Sequence, residues 1–425
     1  MIIPLLAGLL LLLLAGTAVY LALGTASAVA FLAAGHALPG LAQLILDRLN
    51  SATLIAIPFF VIAATFMQKS GAARALVRAA NAWVGRFHGG LAIVCVLAAT
   101  VFSAISGSST ATAMALGAIV IPAMRARQYQ ETFATGVVGA SATLGILIPP
   151  SLALIVYGVV AGESIPRLFL AGALPGLVLA ALFIAWAVLH SRRAGLPCDP
   201  PPPAAEFWRL QWRGLPAALI PGVALGGIYT GILTVTEAAA GAALVAVLLS
   251  LTAYRDPDAP ARLLDTLADS MQRSAAIMLI VAFAFPFAHL IVVSGAPAQF
   301  AELIGSLNLG PVGFMLALSV VMLLLGTMLE IVSVILITLP IVLPVLQQLG
   351  INPIHYAVVV IVNLGMATLT PPIGLSLFVL SSLSSASFVQ IVRGVLPFLM
   401  LMLALLIVVI LFPQLSLWLP AIAFD

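Results

Sequence analysis

Two proline pairs, each set inside a long apolar run, constrain this chain more than any other feature. One lies in GILIPPSLALIVYG (145–158) and the other in TLTPPIGLSLFVL (368–380). A helix cannot continue through two consecutive prolines: two backbone donors are lost, and each ring collides with the carbonyl four residues back. In a soluble domain such a break would fall in a surface loop. Here the flanks stay apolar on both sides. At 63% hydrophobic and 7% charged residues the chain is an all-α polytopic membrane protein, since soluble domains carry about a quarter charged residues. Broken helices at membrane depth persist only where protein or a water-filled cavity satisfies the freed backbone groups.

Ahead of each proline pair lies an apolar stretch with a polar middle. Residues 103–122 read SAISGSSTATAMALGAIVIP, with Ser103, Ser106, Ser108, Ser109, Thr110 and Thr112 around Gly107. Residues 324–340 read LLGTMLEIVSVILITLP. The first reads either as a re-entrant hairpin tip or as a small-residue face for helix packing. The order of features favours hairpins. Gly107 to Pro149 is 42 residues and Gly326 to Pro371 is 45; Pro149 to Pro175 and Pro371 to Pro397 are both 26. Ser-Gly-Ala at 70–72 recurs at 294–296, and Gly172-x-x-Pro175 recurs as Gly394-x-x-Pro397. These coincidences predict an internal duplication, each half with one hairpin (90–124 and 312–346) and one broken helix (132–160 and 356–384). Paired interrupted segments of this kind mark the binding site of secondary transporters.

The charges orient the halves. Residues 69–88 carry Lys69, Arg74, Arg78 and Arg86 and no acid, so the positive-inside rule places this expected loop in the cytoplasm. Arg125 and Arg127 close the hairpin on the same side, and Arg192 and Arg193 close the span at 168–190. After Arg273 only Arg393 remains of 16 basic residues, so the second half is expected upside down, as inverted-topology repeats with both tips near the midplane. The units are 1–67 as N-terminal scaffold spans, with Gly16 as a break and 36–50 as a polar connector; 68–190 as the first repeat; 191–273 as connector, scaffold helices and a cytoplasmic surface helix at 254–273; and 274–425 as the second repeat. Ten spans are expected, the last at 394–418. Trp208 and Trp212 beside Arg209 and Arg213 suit the membrane interface. Cys95 and Cys198 form no disulfide framework, and no Cys/His metal spacing occurs.

Hard cations such as sodium take oxygen ligands. The candidates are Ser106, Gly107, Ser108 and Ser109 with Gly145 at the first break, and Gly326, Thr327 and Glu330 with Thr370 and Gly374 at the second. Glu330 is the only charge between Glu302 and Arg393. A carboxylate at bilayer depth is costly and points to function; it holds sodium, carries a proton, or snorkels to the outer surface. Ser108, Ser109, Thr110, Thr112 and Asn363 are candidate contacts for a small polar anion, with the helix N-terminus after the first tip favouring a carboxylate. The hydroxyls could instead bond their own helices, and Asn363 a neighbouring one. Glu237 reads as a helix cap. No HExxH, phosphate loop or Ser/His/Asp set supports an enzyme, and nothing suggests nucleic acid.

The motifs GSSTATAMALGAIVIPAM, GILIPPSLALIVYG, GILTVTEAAA and NLGMATLTPPIGLSLFV, in this order, resemble the large membrane subunit of tripartite ATP-independent periplasmic (TRAP) transporters nearly end to end. The resemblance implies an elevator-type, Na+-driven importer of organic acids in the bacterial inner membrane. It also implies two partners, a small four-helix membrane subunit and a periplasmic substrate-binding protein. The family's sodium sites fall on residues 106–109 with Gly145, and on Glu330, Thr370 and the second proline pair. Two departures stand out: Glu330 replaces a common Asp, and Thr-Pro-Thr-Glu becomes Thr234-Val235-Thr236-Glu237. Thr112 stands where the sialic-acid branch has an acid, which makes that substrate less expected. The small subunit is expected to be a separate polypeptide. An autonomous sodium/divalent-anion symporter and a non-transporting membrane subunit are the alternatives.

Overall fold

The structure is a computed structural model. It describes residues 2–35, 37–196, 198, 200–254, 262–307 and 309–424, with backbone only at 2–4, 6, 14 and 103–106. The described residues form twenty helices and no strand. Helices α1 (Ile2–Leu14) and α2 (Val19–Ala33) part at Gly16, whose φ of +79° turns the chain. Next come α3 (Leu38–Leu49), α4 (Ala56–Lys69), α5 (Ala72–Val84), α6 (Gly90–Ser106), α7 (Ser109–Ala126), α8 (Glu131–Leu147), α9 (Leu152–Ala161) and α10 (Ile165–Arg193). Then α11 (Ala204–Tyr229) and α12 (Val235–Leu251) lead to α13 (Leu263–Val293), α14 (Ala296–Ser306), α15 (Pro311–Met328), α16 (Ile331–Gln348), α17 (Pro353–Ala367), α18 (Leu375–Leu383), α19 (Phe388–Leu411) and α20 (Gln414–Phe424). A helix, a shorter helix, a helix pair, a proline-broken helix and a long helix occur in that order in α4–α10 and again in α13–α19, although α4 has 14 residues and α13 has 31.

Several sequence expectations change. The connector at 36–50 contains helix α3, and the loop at 69–88 contains α5. Helix α5 leaves α4 at 67° with Arg74 and Arg78 exposed, the behaviour of an amphipathic helix that cannot follow α4 into an apolar layer. The expected surface helix at 254–273 is not separate: its described part, from Leu263, continues straight into the span as the 31-residue α13. The tryptophan-arginine segment likewise continues into the next span as α11. The last span splits into α19 and α20 at Phe412–Pro413. Seven helices among the described residues are long and apolar enough to cross a membrane, or eight if bent α4–α5 counts as one span. The two counts differ in kind: three of the seven (α7, α15 and α16) are hairpin arms outside the expected ten, while α2, α12 and α17 are apolar but shorter than eighteen residues.

The core is built around α8 and α17. Residues 133–147 and 354–367 are buried on every side, the pattern of a helix surrounded by other helices. Close approach needs glycine at particular crossings. A Cβ on Gly394 of α19 would lie 2.0 Å from the Thr132 carbonyl oxygen of α8, and one on Gly172 of α10 would lie 2.5 Å from the Leu147 oxygen. The duplicated Gly-x-x-Pro glycines thus each admit a long helix against the backbone of α8. Glu131 ties the two halves at one end. It pairs with Arg125 and accepts from Ser385 through the backbone nitrogen (2.7 Å) and the hydroxyl (2.7 Å). Glu237 caps α12, with Thr234 N donating to its carboxylate at 2.8 Å, so the Val235 departure leaves the capping box intact.

Candidate functional site

Each helix pair turns on two residues, and each turn ends in an N-cap. In the first, Gly107 takes φ +56° and Ser108 caps α7, accepting from Ala111 N at 3.4 Å. In the second, Leu329 and Glu330 are extended, and Glu330 is the N-cap of α16. This corrects the register read from the sequence. Leu329, not Gly326, occupies the place of Gly107, and Glu330 that of Ser108; Ser108 to Pro122 and Glu330 to Pro344 are each 14 residues. Gly326 lies inside α15, where a Cβ would meet Ala367 Cβ at 2.7 Å and Leu364 Cδ2 at 2.8 Å. It allows α15 to cross α17.

The turns and the proline breaks come together. A Cβ on Gly107 would be 2.8 Å from Leu152 N, so the first turn sits on the start of α9, just past the first proline pair. It also reaches the second break, because Ser376 Oγ lies 3.5 Å from Ser109 Oγ, at the limit of hydrogen-bond range. The end of α15, just before the second turn, is bonded there directly, with Gly374 N donating to Thr327 O at 3.1 Å. Of the sequence candidates, Gly107, Ser109, Thr327 and Gly374 therefore belong to one continuous junction. Ser108 and Thr110 are partly buried beside it, their hydroxyl oxygens 3.1 Å apart. The side chain of Ser106 lies outside the described residues.

The breaks free carbonyl oxygens. Pro149 and Pro150 have no N–H, so the oxygens of Gly145 and Ile146 lose their ordinary helical donors. Ile146 O is satisfied by Ser151 Oγ at 2.6 Å. Gly145 O, at the position picked from the sequence, cannot receive the usual bond. At the second break Ser376 N takes up Thr368 O at 3.1 Å and Thr370 N takes up Ala367 O at 3.1 Å. Both proline pairs are joined by cis peptides. Gly374, at φ +54°, caps α18, and a Cβ on it would lie 3.0 Å from the Thr370 oxygen and 3.1 Å from the Thr368 oxygen, a position with little room for a side chain.

Other candidates are committed differently. Thr112 is fully buried, and its hydroxyl donates to Ser108 O at 2.9 Å; it braces the turn from inside. The Thr370 hydroxyl donates to Met366 O and the Thr327 hydroxyl to Leu324 O, both at 2.8 Å, leaving lone pairs on the oxygens. Asn363 is buried and its amide donates to Ser319 O at 2.9 Å, so it joins α17 to α15. Its oxygen has no partner among the described residues, and the same holds for the buried hydroxyl of Ser333, whereas the buried Ser141 hydroxyl lies against the Cys95 thiol. Ser141 lies one turn before Gly145, and Ser333 lies one turn after Glu330. Glu330 is exposed and makes no hydrogen bond or ion pair among the described residues. A freed carbonyl at the first break and an unpaired carboxylate at the second turn are oxygens of the kind a hard monovalent cation takes.

Sequence reasoning missed Ser376, Thr368, Ser141 and Ser333. Ser376 could have been noticed as the first polar residue after Gly374. The others are single hydroxyls in apolar helices, which most often bond their own backbone.

Two proline-broken helices meeting two helical turns inside a multi-span bundle define a membrane transport protein. The family model described as "Tripartite ATP-independent periplasmic transporter, DctM component" matches residues 6–415, and the chain belongs to this family. It is 40% identical over 371 residues to the C4-dicarboxylate TRAP transporter large permease protein DctM of Pseudomonas aeruginosa, covering 87% of this chain and 86% of that one. It is 33% identical over 409 residues to the isethionate TRAP transporter permease protein DctMQ of Oleidesulfovibrio alaskensis, covering 96% of this chain and 64% of that one. Among solved structures the YdaH transporter of Alcanivorax borkumensis shares the fold, with a TM-score of 0.59 at 15% identity, covering 88% of this chain and 87% of that one.

Proposed function

We propose that this chain is the sodium-coupled permease subunit of a tripartite importer for small organic acids in a bacterial inner membrane. The observation that carries the reading is the junction of both helical turns with the second proline break, through Thr327 O to Gly374 N and Ser109 to Ser376. Sodium ions order the turns, one using the oxygens of residues 106–109 with Gly145, the other using Thr327, Glu330, Thr370 and Gly374. The neutralised tips then accept a carboxylate near Ser108, Ser109 and Thr110, where the N-terminus of α7 favours negative charge. The four interrupted elements (α6–α7, α8–α9, α15–α16, α17–α18) move as one body against α4, α10–α13 and α19, as an inverted repeat working by an elevator mechanism. The relatives named for C4-dicarboxylate and isethionate support a small organic anion as cargo. The fused permease name supports a small membrane subunit as partner, with a periplasmic binding protein delivering the acid.

The test is uptake of labelled C4-dicarboxylate into proteoliposomes holding this chain and its small subunit, with and without a binding protein. Uptake that requires the binding protein, and that is lost in Ser108→Phe/Ser109→Phe while membrane insertion persists, is the expected result. Near-normal uptake by that variant sinks the tip assignment. Sodium-driven uptake without the binding protein would favour the autonomous symporter.

A further inference from the structure

The basic residues of the first half do more than mark one face of the membrane. Six arginines from three separate stretches line one cavity of about 750 Å³: Arg74, Arg78 and Arg86 on α5 and just after it, Arg127 after α7, and Arg209 and Arg213 on α11. Among the described residues Glu206 is the one carboxylate in the lining, and it faces Arg209 at 3.5 Å. Residues 200–203, all proline, border the cavity. Orienting a chain in a membrane requires basic residues near span ends. It does not require them to converge on a shared space, where like charges repel one another unless an anion joins them.

The depth of the cavity points to the source of that anion. Helices α5 and α11 touch at Gly214, where a Cβ would lie 2.5 Å from Ala79 Cβ. Beside this contact is an apolar groove of about 500 Å³ lined by Trp83, Trp208, Trp212, Leu97, Val101 and Leu215. The three tryptophans are exposed, and tryptophan belts sit at headgroup level. Guanidinium groups match phosphate oxygens in pairs. A basic cavity at headgroup depth next to an apolar groove fits a molecule with a phosphate and hydrocarbon tails.

We propose that the cavity between α5, α7 and α11 binds the headgroup phosphate of an anionic phospholipid of the same leaflet. Its walls include Leu91, Ile119 and Ala123 of α6–α7 as well as α5 and α11. A bound lipid therefore bridges the first helical hairpin to the helices beside it. That the lipid also sets the resting position of a moving hairpin rests on the function proposed above; the binding itself does not.

The experiment is native mass spectrometry of the delipidated full chain titrated with phosphatidylglycerol or phosphatidylcholine. Arg78→Gln/Arg213→Gln is compared with Arg192→Gln/Arg193→Gln, which removes equal charge at the end of α10. Each arginine near an anionic headgroup contributes about fivefold, so the cavity variant should bind phosphatidylglycerol about 25-fold more weakly. The α10 variant should bind it as the parent does, and phosphatidylcholine should not be retained. If the glutamine pair is not monodisperse, Arg78→Gln alone and Arg213→Gln alone carry the comparison, each losing about fivefold. Equal loss in the cavity and α10 variants, or equal retention of the two lipids, overturns the proposal. Full displacement of the lipid by millimolar inorganic phosphate or glycerol phosphate overturns the lipid source in favour of a free anion.

Discussion

Replacing Gly107 with alanine separates the packing of the first turn from its backbone conformation. An alanine at φ +56° costs about 1–2 kcal/mol, the ordinary cost of the left-handed region. Its Cβ would also lie 2.8 Å from Leu152 N and 2.8 Å from Leu152 Cγ. One of these is backbone and cannot swing aside, so overpacking adds about 1–3 kcal/mol. Gly231 provides the matched control: φ is +71°, and a Cβ there meets nothing within 4 Å. Gly231→Ala therefore carries the conformational cost alone. If the native turn is the form that holds sodium, the extra 1–3 kcal/mol at Gly107 weakens apparent sodium affinity by about 5- to 150-fold. The assay is thermal unfolding of the purified protein over a sodium series, with choline holding the ionic strength. Gly107→Ala should need far more sodium for the same stabilisation, and Gly231→Ala should track the parent. Indistinguishable sodium midpoints for the two variants would refute the reasoning.

Glu330→Gln keeps the shape of the side chain and removes its charge; sodium affinity should fall by roughly tenfold or more, in line with the effect of ligand charge at hard-cation sites, with insertion unchanged on size-exclusion chromatography. Gly394→Ala drives a Cβ to 2.0 Å from Thr132 O, so α19 must move off α8, and the thermal midpoint should drop further than in Gly222→Ala, which has open space. Glu131→Ala removes the shared acceptor of Ser385 and exposed Arg125 and should cost about 0.5–1.5 kcal/mol, read as a lower midpoint that Glu131→Gln partly restores. Ser376→Ala should weaken sodium stabilisation by a few-fold with little change in the sodium-free midpoint, because its 3.5 Å contact with Ser109 is weak until the turn is ordered.

The helical, multi-span class and the two proline-broken helices were legible because proline acts locally: the missing N–H and the ring clash depend on no distant residue. The first turn was legible for the same reason, Gly107 being the residue that can take φ +56° there. The second was misread by a few residues. Gly326 carried the same glycine signal, but its lack of a Cβ serves the crossing with α17, while the actual turn uses extended Leu329 and Glu330, a conformation that needs no glycine. The register of a turn built from ordinary residues leaves no compositional mark. Helix α5 was taken for a loop because four basic residues outweighed its amphipathic spacing. The contacts of Ser376 with Ser109, and of Gly374 with Thr327, span 267 and 47 residues, so only the fold brings them together.

The coupling of acid to sodium is the claim on which the account stands. Tracer sodium and labelled C4-dicarboxylate should be followed together in the same proteoliposomes, with small subunit and binding protein present, before and after a sodium ionophore collapses the gradient. The account predicts that sodium enters in fixed proportion to the acid, that the ionophore abolishes acid accumulation, and that Glu330→Gln lowers both fluxes together. Acid accumulation that continues unchanged after the sodium gradient is gone would contradict it.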